Sequence, residues 1–447
     1  MLKRHRQAED GGITVLALFI FITVCALLGI ALDVANAYRL RTRLQLASDA
    51  GGHAALYERA DKLASATMAK QAGVNVAASN LGENALNSVV RVEDVVFGDW
   101  NPATRTFTPR ADSKAAVRVT ATRSDSRRNP VSTMLLNFVG LDYWNISTHT
   151  VLETYKPGCL HEGFISEGIL DIQGNNTFGP LFCLHSNTWV SINSNNIFKP
   201  TSIVSMPNLD QLDIPDSGFE SNDGLLEALR EGTYNIRILS RIMPILNGIT
   251  SNTRYVPPYI QNTSIQRIDG GNLSVTNFTA GGIYNLSCQR VNGQSKQQLS
   301  KVSISVDNSP SKPDSILDQV VVIANCPVEF GAGVELHDVV FINTSTDSQS
   351  FSAPSGLQVG KNDSCASGGG AQLLTLGGMD FPANLALFGG QLIAVGDVSF
   401  AARADGIMGA SIISGGEING TSNANMGHCP HTGMEGNFEL DYFRIVE

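Results

Sequence analysis

Residues 11–55 read GGITVLALFIFITVCALLGIALDVANAYRLRTRLQLASDAGGHAA, and this stretch decides how the rest of the chain is organised. Ile13 to Leu32 carries no charge and no proline, and thirteen of its 20 residues are Ile, Leu, Val or Phe. At about 1.5 Å per helical residue, such a run spans about 30 Å, the thickness of one bilayer core. The sequence therefore predicts a transmembrane helix over residues 13–32, preceded by a short tail at residues 1–12.

The helical pattern continues after the apolar run ends at Asp33. Small and apolar residues recur at steps of three and four, which is the spacing of one helical face. They are Leu40, Leu44, Ala47, Ala50, Ala54, Tyr57, Ala60, Ala64 and Met68. We therefore expect one helix to about residue 80, with Gly51, Gly52 and Gly73 as places where it would kink or break.

Three other interpretations compete with a retained anchor. A buried core helix is one, although soluble helices rarely hold so long an uncharged run. Ala35-Asn36-Ala37 has the form of a signal-peptidase site, but the apolar run is long for a signal peptide and Asp33 precedes the site closely. Gly12 resembles a type IV prepilin site, but the fifth residue after it is Ala17 instead of glutamate. We favour the retained anchor.

Composition sets the broad class. A chain of 447 residues is long enough for two or three domains, and 43 glycines with 7% aromatic residues favour short strands and turns. The net charge of −10 argues against nucleic acid as a partner, because phosphate backbones require clustered lysine and arginine.

Six of the seven cysteines lie beyond the apolar run, and none of them forms a CxxC pair. Three disulfides in an oxidising compartment are therefore expected. Of the 15 connectivities that six cysteines allow, we choose the sequential one: Cys159–Cys183, Cys288–Cys326 and Cys365–Cys429.

Charge alone does not orient the helix, since three basic residues lie on each side of it: Lys3, Arg4 and Arg6 before, Arg39, Arg41 and Arg43 after. The expected disulfides decide the direction. The N-terminus is predicted in the cytoplasm and the bulk of the chain outside it, with the protein crossing the membrane once.

A small sheet is expected after the helix. The period changes to two near Val89, which predicts strands over residues 89–97, 115–122 and 146–153, with a short helix over residues 131–139. Lys156-Pro157-Gly158 marks a boundary. Residues 33–156 are thus predicted to form a pilin-like α+β module, in which the helix covers one face of a small antiparallel sheet.

The order of residues after the span resembles a known family. The pattern consists of Asp33, Tyr38, Arg41, Leu44, Gln45, Ala47, Asp49 and Ala50, followed by FGDWNP at 97–102 and AVRVTATR at 116–123. It is similar to the N-terminal module of TadG-like proteins, which belong to the bacterial tight-adherence (Tad, or Flp-pilus) machinery. The resemblance covers residues 11 to about 155 and implies an envelope protein that acts in pilus assembly and adhesion. It carries over no catalytic residue.

Residues 159–447 contain short apolar runs at spacings of roughly 6 to 14, separated by Gly, Asn or Asp. Each run is too short to bury a face alone, so stacked rungs that share one core are expected. We predict a mainly-β domain, a right-handed parallel β-helix in the first place and a β-sandwich as the alternative. Residues 206–262 are predicted to be a partly helical insertion, with helical spacing at 221–230 and 235–246, that forms a small subdomain or a partner-binding loop.

Few residues suggest chemistry. Asp307, Ser309 and Ser311 follow an apolar strand as D-x-S-x-S, which resembles the Mg²⁺ site of von Willebrand A domains, but the helices and strands of that fold do not follow. His428-Cys429-Pro430-His431 lacks further ligands at zinc spacing. Asp397 and Asp405 are the carboxylates considered for glycoside cleavage. We expect no cofactor and no enzymatic activity.

The sequence and the resemblance therefore predict a single-pass, minor-pilin-like structural or assembly component of a Tad-type pilus. It is expected in the bacterial inner membrane, with its N-terminus in the cytoplasm and its C-terminal domain in the periplasm. Its partners would be the membrane and other pilus-assembly or minor-pilin proteins, and its N-terminal helix could pair with related subunits through Gly29, Ala31 and Ala35. The alternative is a membrane-tethered β-helix that binds or cleaves carbohydrate.

Overall fold

The computed structural model describes residues 10–60, 64–81, 89–251, 253–292, 295–309, 314–430 and 432–447. The chain divides into two compact units. The N-terminal unit is Met1–Tyr155 together with Asp441–Glu447, and the C-terminal unit is Lys156–Leu440.

Two helices open the N-terminal unit: α1, Asp10–Ala60, and α2, Ala66–Leu81. Among the described residues, α1 is the one helix that is long and apolar enough to cross a membrane. The prediction of a single helix to about residue 80 was wrong, because α1 ends at Ala60 and α2 packs back against it.

Glycine allows the close approach of these two helices. A Cβ on Gly51 would lie 2.9 Å from the carbonyl oxygen of Gly73, and a Cβ on Gly73 would lie 2.8 Å from that of Gly51. Gly52 faces the other way, where an added Cβ would lie 2.4 Å from Leu152 Cδ1. These glycines therefore do not kink α1; they let a helix and a strand pack tightly on its two sides.

The strands of the N-terminal unit are β1 Val95–Asn101, β2 Thr106–Pro109, β3 Ala116–Arg123, β4 Val131–Ser132, β5 Tyr143–Trp144 and β6 Ile146–Tyr155. Short 3₁₀ turns lie at Val92–Asp94, Asp125–Arg127 and Leu136–Val139. The predicted helix over 131–139 was therefore wrong. β4 pairs with β5 instead, and the pair carries a loop that includes the last 3₁₀ turn.

The main sheet is antiparallel, in the order β2-β1-β3-β6 followed by the C-terminal strand Tyr442–Ile445. That strand pairs with β6, with Tyr442 opposite Tyr155. Residues 441–447, predicted to belong to the C-terminal domain, lie in the N-terminal unit. Along the sequence, the C-terminal unit is thus an insertion between β6 and the C-terminal strand, which are neighbours in this sheet.

Helix α1 packs on this sheet along a common direction. Leu44, Ala47 and Leu56 form one core with Val117 and Leu152. Ile146, at the start of β6, lies in the same groove as Tyr38, whereas Leu152 contacts Gly52 farther along the helix. β6 therefore runs along α1 away from the apolar segment. The turn that joins β1 to β2 lies at the far end of the sheet, since Gly98 pairs with Ala116, which pairs with Glu153.

The C-terminal unit is built mainly from short strands. They are β7 Gly163–Ser166, β8 Leu170–Ile172, β9 Thr177–Phe178, β10 Cys183–Ser186, β11 Val190–Ile192, β12 Asn196–Phe198, β13 Ile203–Met206, β14 Asn222–Asp223, β15 Leu229–Glu231, β16 Asn262–Asp269, β17 Asn272–Ser274, β18 Gly282–Ser287, β19 Gln289–Asn292, β20 Ser295–Gln298, β21 Val302–Ser305, β22 Ile316–Ala324, β23 Val328–Phe330, β24 Glu335–Asn343, β25 Phe351–Ser352, β26 Gln358–Val359, β27 Ala371–Thr375, β28 Met379–Ala394, β29 Val398–Ser414, β30 Ile418–Gly420 and β31 Asn425–Gly427. Its helices are α3 Gly158–His161, α4 Leu225–Ala228 and α5 Ile242–Thr250, with 3₁₀ turns at Leu209–Gln211, Gly218–Ser221, Arg237–Arg241 and Val275–Asn277.

The large sheet repeats with a period of about 20 residues. Gly163 pairs with Cys183, which pairs with Ile203, and Leu170 pairs with Val190 in the same way. Every pairing described between its named strands is parallel, which agrees with stacked rungs and not with an antiparallel sandwich.

The rungs are not stacked in sequence order. Ser411 of β29 pairs with Gly163 of β7, so the last long strand of the domain lies against the domain's first strand. The stack along one face consequently reads β16, β18, β22, β24, β27, β28, β29, β7, β10, β13, β15. At about 4.8 Å per strand, β15 and β16 lie roughly 48 Å apart, although they are consecutive in the chain.

The segment between β15 and β16 covers the outer side of this face. Ile236, Ile242 and Ile249 are buried in one cluster with residues from successive rungs, among them Ile165 and Ile413. The helical spacing predicted at 235–246 is found as a 3₁₀ turn followed by α5. The helix predicted at 221–230 is found only in part: α4 covers residues 225–228, and β14 and β15 lie before and after it.

Asparagines line one corner of the stack. Asn175 and Asn195 adopt left-handed backbone conformations, with φ of 65° and 66°. The next residues form a buried ladder: Asn176 Nδ2 donates to Asn196 Oδ1 at 3.0 Å, and Asn196 Nδ2 donates to Asn222 Oδ1 at 3.2 Å. Asn176 and Asn196 thus each donate to an amide of the next rung, which fixes the register between these rungs.

Three disulfides join consecutive cysteines of the C-terminal unit: Cys159 to Cys183, Cys288 to Cys326, and Cys365 to Cys429. Cys25, within the apolar segment of α1, is free.

Gly51→Val is expected to lower the free energy of unfolding of the N-terminal unit by about 1–3 kcal/mol, because the new side chain has no space between α1 and α2. Leu46→Val is the matched control, since it also places valine in α1, at a side chain that is 58% exposed. Denaturant unfolding in detergent measures both. Equal stability of the two variants would contradict the close helix crossing.

Candidate functional site

The end of the apolar segment is fastened to the folded part of the N-terminal unit by one carboxylate. Asp33 is 1% exposed. Its Oδ1 accepts a hydrogen bond from the Met134 N–H at 2.6 Å, and its Oδ2 accepts from the N–H groups of Leu135 and Leu136 at 2.9 and 2.7 Å. Three backbone donors therefore solvate a charge that has left water.

The loop that provides these donors is closed at its base. The Thr133 N–H donates to the Asp142 carbonyl at 3.1 Å, and the Thr133 hydroxyl donates to the Leu141 carbonyl at 2.5 Å. Val131 pairs with Trp144 just below. We name residues 134–141 the apolar loop.

A groove of about 430 Å³ lies beside α1 one to two turns beyond Asp33. Val34, Ala37, Tyr38 and Arg41 line it from the helix, and residues 144–147 line it from the sheet. Tyr38 and Arg41 are exposed. The groove therefore offers an aromatic ring and a cation next to the apolar segment.

The structure separates the eight family residues by role. Leu44 and Ala47 are buried against the sheet. Gln45 Nε2 donates to Asp49 Oδ1 at 2.9 Å and approaches the His149 carbonyl at 3.4 Å. Ala50 is half-buried. Together with Asp33 these residues hold α1 in place, whereas Tyr38 and Arg41 point to an exposed surface.

Gly29 does not lie on a free helix face. A Cβ at this position would lie 2.9 Å from Leu135 Cβ. Its use in pairing with another subunit, predicted together with Ala31 and Ala35, is therefore corrected: Gly29 packs inside the chain, and Ala31 and Ala35 are exposed.

Comparison with known families assigns both parts of the chain. A family profile described as Domain of unknown function (DUF7867) matches residues 163–430, more than half of the 447 residues. The chain belongs to this family.

Two further profiles match the N-terminal unit. One, for TadE/G-like Flp pilus assembly, matches residues 11–67, and the other, for Tad-like Flp pilus assembly, matches residues 50–151. The N-terminal part of the chain is thus TadG-like, as the resemblance implied, and carries Tad/Flp pilus-assembly domains. No curated protein and no solved structure matches it.

A second group of ionisable residues lies in the C-terminal unit of the TadG-like chain. Glu162 is buried, and the Cys429 N–H donates to its two carboxyl oxygens at 3.1 and 3.0 Å. His428 Nδ1 lies 2.9 Å from Glu162 Oε2. Burial raises the pKa of Glu162 to about 7, against the opposing effects of the Cys429 N–H and the His161 charge.

His161 connects this group to Glu439. Its Nδ1 contacts one oxygen of Glu439, whose other oxygen contacts the ammonium of Lys156. The hydrogen bond to Glu439 raises the pKa of His161. The group ties the first helical turn of the domain to the segment that leads out of it.

The residues considered for metal binding or catalysis are held by local contacts. Asp307 Oδ1 accepts from the Ser309 N–H at 2.9 Å and Oδ2 from the Thr276 hydroxyl at 3.1 Å; Ser311 lies outside the described residues. Among the described residues, no three His, Cys, Asp or Glu side chains are grouped to hold a metal ion. His431 also lies outside them.

Asp397 and Asp405 do not form a described pair. Asp397 Oδ1 accepts from the Glu417 N–H at 2.8 Å, and Asp405 Oδ1 accepts from Asn425 Nδ2 at 2.7 Å. Each bond connects neighbouring rungs, which is a structural role.

Neither the apolar loop nor the burial of Glu162 was predicted from the sequence. A signal for the loop was available, since MLLNFVGL at 134–141 contains no charge and one polar side chain. Glu162 had no such signal, because its hydrogen-bond donor, the Cys429 N–H, lies 267 residues later.

Asp33→Asn is expected to loosen the apolar loop, because an uncharged amide cannot accept from three N–H groups as strongly as a carboxylate. The loss is on the order of 2 kcal/mol. Hydrogen exchange at residues 134–136 measures it. Asp142→Asn, an exposed position in the same hairpin, is the control. Unchanged protection in Asp33→Asn would show that the carboxylate does not hold the loop.

Glu162→Gln is expected to flatten the pH dependence of stability. The folded pKa of Glu162, about 7, lies above its ordinary value of 4.5. The folded protein therefore holds a proton that the unfolded chain has released, so stability falls as pH rises from about 4.5 to 7. The fall is on the order of 3 kcal/mol. Melting temperatures between pH 5 and 8 should decline more in the wild type than in the variant; parallel declines would refute the assignment.

Proposed function

We propose that the chain is a membrane-anchored, minor-pilin-like component of a Tad-type pilus, active in pilus assembly and adhesion. One observation carries the proposal: the two pilus-assembly profiles match residues 11–67 and 50–151, which together form the helix and sheet of one folded unit. The fold of that unit agrees with a structural role, since α1 serves both as apolar segment and as core helix.

The anchor would cross the inner membrane once, with the N-terminus in the cytoplasm. The disulfides support this direction, because such bonds persist in the periplasm and not in the cytoplasm. The C-terminal unit, which we propose to be a right-handed parallel β-helix, would present a rigid surface for adhesion. Parallel rungs of about 20 residues support that fold.

The partners would be other pilus-assembly or minor-pilin proteins that meet the chain near the membrane. The exposed residues of the family pattern, Tyr38 and Arg41, line the groove beside α1 and suit such contact. An oligomer through the N-terminal helix would use the exposed face that holds Ala31 and Ala35.

Deletion of the gene is expected to abolish pili, and the full-length chain is expected to restore them. A version in which a cleavable signal peptide replaces residues 11–32 should reach the periplasm and fail to restore them. Electron microscopy of surface pili gives the readout. Normal pili in the deletion strain would overturn the pilus assignment, and restoration by the unanchored version would overturn the anchor.

A photo-crosslinking residue at Tyr38 should capture proteins that carry a Tad-type N-terminal helix. The same residue at Ala103, which is exposed in the turn after β1 at the far end of the sheet, is the matched control. Equal capture at both positions, or capture of unrelated proteins alone, would refute a partner surface at the groove.

A carbohydrate-binding or carbohydrate-cleaving role is the alternative that the sequence leaves open. The local bonds of Asp397 and Asp405 give it no support. Glycan binding that survives deletion of residues 1–155 and 441–447 would favour it.

A further inference from the structure

The apolar loop, residues 134–141, exposes an unusual set of side chains for the surface of a folded domain. The exposed fractions are 83% for Phe138, 58% for Met134, 54% for Leu141 and 39% for Leu135. The sequence MLLNFVGL has no charged residue. Contiguous apolar residues on a surface generally mark a contact with a partner or a membrane.

The position of the loop identifies the contact. Leu135 packs against Gly29, and the N–H groups of residues 134–136 bind Asp33. Both helix positions belong to the last turn of the apolar segment or to the residue after it. The loop therefore lies at the same level along the axis of α1 as residues 29–33. A bilayer that surrounds residues 13–32 would reach it.

The surroundings of the loop resemble a membrane interface. Tyr143, at its base, and Tyr38, on the next turn of α1, are exposed aromatic residues. Arg39, Arg41 and Arg43 follow on the same helix and are exposed. Aromatic rings concentrate at the level of lipid headgroups, and arginines beyond them attract anionic phosphates.

We propose that the apolar loop inserts into the bilayer leaflet next to residues 29–33 and forms a second membrane contact beside the helix. The occupant of this surface is phospholipid: acyl chains around Phe138 and Leu141, and headgroups around the tyrosines and arginines. The proposal rests on the membrane anchor of the proposed function. In this arrangement, the hydrogen bonds of Asp33 hold the loop at the depth of the bilayer.

Insertion would restrain the folded part of the N-terminal unit. A single helix leaves a domain free to swing about the point where the helix leaves the membrane. A second contact on one side of that helix limits both tilt and rotation, so the groove at Tyr38 and Arg41 would keep a constant height above the bilayer.

Spin labelling of the full-length chain tests the proposal. Phe138→Cys and, separately, Leu141→Cys are made in a Cys25→Ser background, labelled with a nitroxide and reconstituted in phosphatidylcholine–phosphatidylglycerol vesicles. Ala103→Cys is the control. Lipid-soluble oxygen should relax labels at 138 and 141 at least about threefold more effectively than the water-soluble nickel complex NiEDDA, and the order should reverse at 103.

The outcomes separate the possible occupants. Preference for the nickel complex at 138 and 141 would overturn loop insertion, and so would protection from both reagents, because that result means cover by a second copy or another protein. The anchor is checked independently, since flotation with the vesicles reports it. A chain that floats with an aqueous label at 138 refutes the loop alone, and a chain that does not float refutes the anchor.

A functional variant complements the labels. Phe138→Asp should shift the label at Leu141→Cys toward the nickel complex, because a charge opposes burial in hydrocarbon, whereas Phe138→Leu should leave it unchanged. Since Phe138 is exposed, both variants should retain the melting temperature of the parent. Identical label accessibility in the two variants would contradict the proposal.

Discussion

The charge of Asp33 is the constraint on which the N-terminal unit depends. An aspartate in the middle of a membrane helix costs about 2.5–3.5 kcal/mol, and this one lies directly after the apolar segment. Three backbone N–H groups from residues 134–136 solvate it. The same bonds fix the loop to the helix, so one carboxylate joins the end of the apolar segment to the folded unit.

The packing of the rest of the N-terminal unit depends on how closely other elements can approach α1. Gly51 admits α2 on one side and Gly52 admits Leu152 on the other, so one helix is packed between a second helix and a sheet. The sheet then ends with a strand from the far end of the sequence. Tyr155 and Tyr442 are paired, which means that the chain leaves for the C-terminal unit and returns from it at neighbouring points.

Local patterns revealed much of this architecture. The apolar segment, the strands near 95, 116 and 146, and the short runs separated by Gly and Asn could be recognised from periodicity. Long-range contacts could not. The pairing of Ser411 with Gly163 joins residues 248 positions apart, and the C-terminal strand joins β6 from a comparable distance. The break after Ala60 was missed for a related reason. The spacing of small residues from Leu40 to Met68 is equally compatible with one helix or with two that pack on each other.

The site shows the same division between local and distant causes. A helical spacing relates Leu44 and Ala47, which pack α1 on its sheet, and it also relates Gln45 to Asp49, which are hydrogen-bonded within the helix. This spacing can be recognised in the sequence. The role of Asp33 depends on residues 101 to 103 positions away, which no helical pattern contains. Three of the eight residues in the family pattern are buried and three are half-buried, so the pattern as a whole is not a binding surface. What remains for partners in this pattern is Tyr38 and Arg41, next to the apolar loop, so recognition by other pilus subunits would take place at the surface of the bilayer.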